Sequence, residues 1–361
     1  MTVTGPRIKD YTGETASGLP VDIVADPLFE LLLSLFVYSS HDAGELADFA
    51  VDPSWYDRVR EQASPDLSTG LDRLAGLGGV WVALIGEALA LGPDRSPEAL
   101  ATRLRERDPA KLWEDLLGLA REHCHTQEER DLVGAAVAGD ASALKRVVSG
   151  DGCEIPDALC RLLETPPTES TELLAGTLLS FARDVFGDGD GVGIVLARDA
   201  DHKRALAGTM ESPQLVETAT NGVTFTMVPD VDRIVLIPSV VIRPWVTITE
   251  HERSRVFCYP VAEQHLDADA DTPPAWLVEV YKALGDERRL RLLKILRDGP
   301  ASLSDITARI ALAKSTVHHH LSVLRRAGLV RITLGAESEY SLRGGAVPDA
   351  ARLLAGFLED E

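Results

Sequence analysis

The chain has 361 residues, 45% of them apolar, with 57 Asp+Glu against 36 Lys+Arg and a formal charge of −21 at pH 7. That length allows two or three domains with real cores, and the overall acidity argues at first sight against a nucleic-acid partner, because phosphate repels acid. Four cysteines, Cys124, Cys153, Cys160 and Cys258, are too sparse for a disulfide framework. The most apolar stretches, 29–38 and 80–91, are too short for a membrane span and carry Glu30 and Glu87. Residues 1–14 lack an apolar signal core, so the expectation is a cytoplasmic chain with reduced thiols and no membrane partner.

Residues 1–20 read as a loose arm rich in Gly, Thr and charge. Residues 21–25 suit a short strand, and Asp26-Pro27 opens a helix to about Tyr38, with proline in the first turn. From there to about Gly187, apolar residues recur at intervals of three and four near 54–63, 66–76, 80–91, 96–107, 109–122, 126–138, 141–149, 156–164 and 169–186. Gly78-Gly79, Gly92-Pro93, Gly150 and Pro166-Pro167 break the pattern. One or two more helices cover 191–219. The period then drops to two over about 222–260, where Pro229-Asp230, Pro238-Ser239 and Glu250-His251 supply turns. This predicts an antiparallel meander of four short strands. Residues 263–275, with Asp267, Asp269, Asp271 and Pro273-Pro274, read as a linker. The expected fold class is therefore α+β and mainly α: a helical N-terminal domain with a small antiparallel sheet over 21–262, then a C-terminal domain over 276–361.

Charge divides along the same line. Residues 276–343 hold 12 Lys+Arg and 7 Asp+Glu, a balance of +5, which leaves −26 for the remainder. A basic reader on an acidic body follows. Within it, 286–296 places Leu290, Leu293 and Leu296 on one helix face, and Gly299-Pro300 stops the helix. Ser302 and Asp305 form a capping box ahead of Ile306 and Ile310. Ala311-Leu312-Ala313 is the length of a helix-turn-helix corner. On the next helix, 314–327, Val317, His320, Leu321 and Leu324 fall on one side. Lys314, Ser315, His318, His319, Ser322, Arg325 and Arg326 fall on the other. Such a helix packs by its back and can enter a major groove by its front, early residues at base edges and later arginines at phosphates. Residues 329–334 and 339–342 then alternate cleanly around a turn at 335–338, which predicts a wing.

The runs KALGDERRLRLLKIL, LSDITARI and KSTVHHHLSVLRRAGLVR resemble the ArsR-type winged-helix regulators over about 85 residues. The resemblance implies a dimeric DNA binder, usually a repressor released by an inducer. On a double-stranded operator the polar face makes Lys314, Ser315, His318 and His319 the candidates for base edges, with Ser322 on the same DNA-binding side, and Arg325, Arg326 and Arg331, with Thr316 at the helix start, the candidates for phosphate. The resemblance also implies a homodimer formed by flanking helices, here carrying Trp276, Leu277, Val280 and Tyr281, then Leu353, Leu354 and Phe357. The metal sites of the family are missing: Leu303-Ser304-Asp305 stands where sensors carry cysteine, and no histidine follows His320. No cofactor or metal is expected. The long N-terminal domain is read as the sensor of a small-molecule or protein effector.

Other motifs have plainer readings. His318-His319-His320 cannot converge on one ion, because consecutive helical side chains diverge by about 100°; His320 is read as core. His123-Cys124-His125 could join a distant cysteine in a metal site, or end a helix. Asp188-Gly189-Asp190-Gly191 starts like a calcium loop but has Val192, Ile194 and no closing Glu. His41-Asp42 reads as a helix end, Arg243 with Trp245 as strand residues or an anion grip, and Trp55, Trp81 and Trp113 as helical core. The competing functions are an enzyme with a regulatory tail, for which no phosphate loop or nucleophile elbow is present, and a protein-binding adaptor.

Overall fold

The computed structural model describes residues 18–42, 49–120, 139–148, 164–187, 189–225, 231–243, 245–262, 275–310, 312–334 and 339–343. Shorter pieces at 131–132, 134–136, 161–162, 265–266, 351 and 354 are also described. The expectations for His123-Cys124-His125, the 126–138 helix in large part, most of the 263–275 linker and the wing turn lie outside them.

Strand β1 (Val21–Ile23) precedes α1 (Pro27–Asp42), which begins where Asp26 Oδ1 accepts the Leu28 amide at 2.9 Å. Helices α2 (Pro53–Gln62), α3 (Pro65–Leu74), α4 (Gly78–Leu89), α5 (Pro97–Glu106) and α6 (Pro109–Ala120) follow. Asp52, Ser64 and Ser96 cap α2, α3 and α5, each with proline at the first turn. Then come α7 (Ala141–Val148), α8 (Pro167–Phe181) with a π turn (Ala182–Phe186), α9 (Asp190–Ala207) and α10 (Ser212–Ala219). Phe29, Leu32, Trp81, Leu84 and Leu178 are among the fully buried residues of one core. The buried indoles find partners: Trp81 Nε1 donates to Ser39 Oγ and Trp113 Nε1 to Thr171 Oγ1, both at 3.1 Å. Trp55 packs on the edge of the same core.

The mainly helical architecture with small sheets is as the sequence implied, but the first sheet is not an antiparallel meander. Strands β2 (Val223–Phe225), β3 (Arg233–Ser239), β4 (Thr247–His251) and β5 (Ser254–Pro260) are present. The first sheet runs β1-β3-β5-β4, with β1–β3 and β3–β5 parallel and only β4–β5 antiparallel. The reason is burial. Residues Ile234–Ile237 and Val256–Tyr259 are buried without alternation, the signature of strands covered on both faces, which suits parallel pairing. The chain also does not stay extended after β3. Residues 241–243 form a turn, and the next strand begins only at Thr247 and runs to His251. β2 leaves this sheet altogether.

Beyond residue 275 come α11 (Ala275–Leu284), α12 (Glu287–Leu296), β6 (Ala301–Ser302), α13 (Leu303–Ile310), α14 (Lys314–Arg326), β7 (Val330–Leu334) and β8 (Glu339–Leu342). Val280, Leu292, Leu296, Ile306, Val317, Leu321, Leu324 and Val330 form their own core. β7 and β8 pair antiparallel, Ile332 opposite Tyr340, and β6 pairs with β8. This is a winged helix.

Candidate nucleic-acid interface

The corner is built by caps. Asp286 accepts the amides of Arg288 and Arg289 at 2.8 and 3.1 Å and starts α12. Those bonds hold its carboxyl below the usual range. Ser302 Oγ donates to Asp305 Oδ2 at 2.8 Å and accepts the Asp305 amide at 3.2 Å, the reciprocal box read from the sequence. Thr307 and Arg309 continue α13 toward the corner at Leu312-Ala313.

α14 has the two faces its sequence required. Val317, His320, Leu321 and Leu324 are buried, while Lys314, Ser315, His318 and His319 are exposed and Thr316 and Ser322 are half-buried. Neither ring nitrogen of His320 has a hydrogen-bond partner among the described residues, and burial pushes its pKa down. It packs as an uncharged core ring.

The rear of α14 meets something the sequence did not announce. β2 lies parallel to β7, with Val223 opposite Ile332 and Phe225 opposite Leu334, so the wing sheet runs β2-β7-β8-β6. Ile332 packs against the cluster of Leu215, Val216 and Val223 in the N-terminal body. All three arginines predicted to meet phosphate lie on this seam. The Arg325 and Arg326 guanidinium carbons stand 5.3 and 5.6 Å from the Trp245 ring centroid, within cation–π range. Arg331 Nη2 pairs with Glu217 Oε1 of α10. Asn221 Nδ2 donates to the Arg326 carbonyl at 2.9 Å, and its Oδ1 accepts from Arg343 at 3.1 Å.

Two glycines make the seam possible. Gly222 has φ +102° and a Cβ there would stand 3.2 Å from the Val330 carbonyl oxygen. Gly328 has φ +66°, and its Cβ would meet Asn221 Oδ1 at 2.7 Å. Both backbone conformations favour glycine. Their glycines were visible in the sequence, but nothing local marked them as contact points.

The predicted reader residues thus divide into an exposed front and three arginines turned to the body. Of the predicted dimer residues, Leu277 and Val280 are buried and Val280 belongs to the winged-helix core, whereas Tyr281 is exposed with Val278 beside it. Leu354 is half-buried; Leu353, Phe357 and the Trp276 side chain lie outside the described residues. Among the described residues no helix is long and apolar enough to cross a membrane.

The corner, the two-faced α14 and the hairpin define a winged helix-turn-helix domain. Residues 286–331 match the family model of bacterial regulatory proteins of the arsR family; this segment is an ArsR-family domain. The chain is 36% identical over 63 residues to the transcriptional activator HlyU of Vibrio cholerae, covering 18% of this chain and 58% of that protein. It is 28% identical over 80 residues to the transcriptional repressor SdpR of Bacillus subtilis, 22% of this chain and 89% of that one. With the regulator CmtR of Mycobacterium tuberculosis it shares 39% over 67 residues, 18% and 57% of the two chains. A solved structure of HlyU from Vibrio cholerae matches with 31% identity over 24% of this chain and 95% of that one, TM-score 0.20. The chain therefore spans under two thirds of the length of several relatives, and the likeness is confined to the C-terminal part.

Proposed function

We propose that the chain is a DNA-binding transcriptional regulator, a homodimeric repressor of a double-stranded operator whose N-terminal body senses a small-molecule or protein effector. The observation that carries the reading is the exposed polar front of α14 within the ArsR-family segment: Lys314, Ser315, His318 and His319 face outward from an apolar back. Each α14 enters one major groove, and two-fold symmetry places the half-sites about one helical turn, roughly 34 Å, apart. Val278 and Tyr281 on α11 offer an exposed apolar patch for the partner copy. The body works by restraint. While Trp245 and Glu217 hold Arg325, Arg326 and Arg331, those cations are not free to meet phosphate; release adds them to the DNA contact.

The test is a mobility shift of the full chain on its own promoter region at low salt, with a reporter to give the sign of regulation. A retarded, competitor-resistant band is expected. No shift at about 50 mM salt, where phosphate contacts are strongest, overturns the reading.

A further inference from the structure

The N-terminal body contains a cavity of about 460 Å³, in the range that takes a small organic ligand. Trp55, Phe181, Val185, Phe186 and Val192 supply its apolar and aromatic walls. Glu30, from the first turn of α1, lines it and is the charged side chain among the described lining residues. Glu30 is 3% exposed; the Val240 and Val241 amides, the Ser239 hydroxyl and the charge of Arg243 act on its buried carboxyl, and a cation entering the cavity would add to that stabilisation of the charged form.

The same carboxylate holds a turn. Glu30 Oε1 accepts the Val240 and Val241 amides at 3.1 and 2.8 Å, and Oε2 accepts the Val240 amide at 3.2 Å. On the other flank the amide of Ala50, another lining residue, donates to the Arg243 carbonyl at 2.6 Å. The Trp245 amide closes the turn onto the Ile242 carbonyl at 2.8 Å. The wall of the cavity is therefore the segment that carries Trp245 to Arg325 and Arg326.

We propose that this cavity binds an amphiphilic organic cation, a protonated amine on an apolar or aromatic body, with Glu30 as its anionic anchor and the 240–243 turn with Trp245 relaying occupancy to the recognition helix. The ammonium competes with the Val240 and Val241 amides for the carboxylate oxygens. As those bonds lengthen, the turn shifts and Trp245 loosens its hold on the two arginines. The relay rests on the regulator reading above; the site does not.

Calorimetry on the full chain with phenethylammonium and octylammonium, each beside its matched alcohol and with octanoate as the anionic control, decides the site. Binding of the ammonium at least tenfold tighter than the alcohol is expected, with loss of that preference in Glu30→Gln. Val192→Trp narrows the cavity while leaving Glu30 in place, so it weakens binding at least tenfold with an unchanged far-UV spectrum. Equal binding of amine and alcohol, no binding at millimolar probe, or undiminished binding in Val192→Trp overturns the site. Anisotropy on a promoter fragment, with and without octylammonium, decides the relay. A severalfold change in DNA affinity that Glu30→Gln abolishes is expected, and an unchanged affinity overturns the relay alone. If the fragment is not bound even without probe, the regulator reading fails, and the calorimetric result still judges the site.

Discussion

Trp245 of the N-terminal body lies beneath Arg325 of the recognition helix, guanidinium carbon to ring centroid 5.3 Å. The residues are 80 positions apart, and their contact joins the acidic part of the molecule to the basic part. Desolvation at this seam lowers the Arg325 pKa, so the charge is held in a place that suits it less well than open water or a phosphate backbone.

Trp245→Ala should free Arg325, while Arg326 keeps its ion pair with Glu279 at 3.6 Å. DNA affinity should rise between about twofold and thirtyfold, the span of a cation–π contact worth roughly 0.5–2 kcal/mol. The log–log salt slope should steepen as further phosphates are neutralised. Anisotropy titrations at several salt concentrations measure both. A fall in affinity would instead make Trp245 a support that orients the arginines for DNA.

Front and rear of α14 should behave differently on mutation. His318→Ala and Lys314→Ala should alter preference at single operator positions, by about 1–3 kcal/mol per good contact. In the Trp245→Ala background, Arg325→Ala should weaken all sequences alike and reduce the salt slope by about one. Binding to a panel of single-base operator variants separates the two; uniform losses in both classes would remove the assignment of readers and anchors.

Gly222→Val should break the β2–β7 seam, because the residue has φ +102° and sits against the Val330 carbonyl. A side chain forced into that conformation costs about 1–3 kcal/mol. Hydrogen exchange should show lost protection at the Ile332 amide, which donates to the Gly222 carbonyl at 3.0 Å, while α13 and α14 stay protected. Unchanged exchange at Ile332 would show that the seam tolerates the side chain.

Glu30 should make stability depend on pH. Burial raises its pKa from 4.5 to about 7, against the pull of the Ser239 hydroxyl, the Val241 and Val240 amides and the Arg243 charge. The Cys258 thiol of β5, itself pushed up by burial and by Glu30, also faces it. The folded chain thus holds this proton more tightly than the unfolded chain does. The associated stability is fully present below about pH 4.5 and is lost as pH rises through about 7, amounting to at most about 3 kcal/mol. Urea melts of the native chain and Glu30→Gln at pH 5 and pH 8 should show a smaller loss in the variant. Equal losses would place Glu30 near its ordinary value.

The α13–α14 corner was legible from sequence because each of its devices is local. A Ser-x-x-Asp box, a three-residue corner and a 3.6-residue apolar period act over one or two helical turns, and Ser302, Asp305 and Val317 occupy the places that pattern assigns.

What needed the tertiary structure is everything that joins distant parts. Alternation over 223–227 announces a strand but does not say whose neighbour it is, since backbone hydrogen bonding is indifferent to sequence separation; β2 left its own sheet for the wing. Glu30 looks from sequence like a stray acid in an apolar helix, and Trp245 like a strand residue. Only folding brings the first onto the Val240–Val241 amides and the second under Arg325 and Arg326. Amino-acid pattern thus determined that a winged helix is present and which face of α14 is polar. Packing of the acidic body decided which of its arginines that face still offers, because a cation's availability depends on what shields it, not on its own position in the chain.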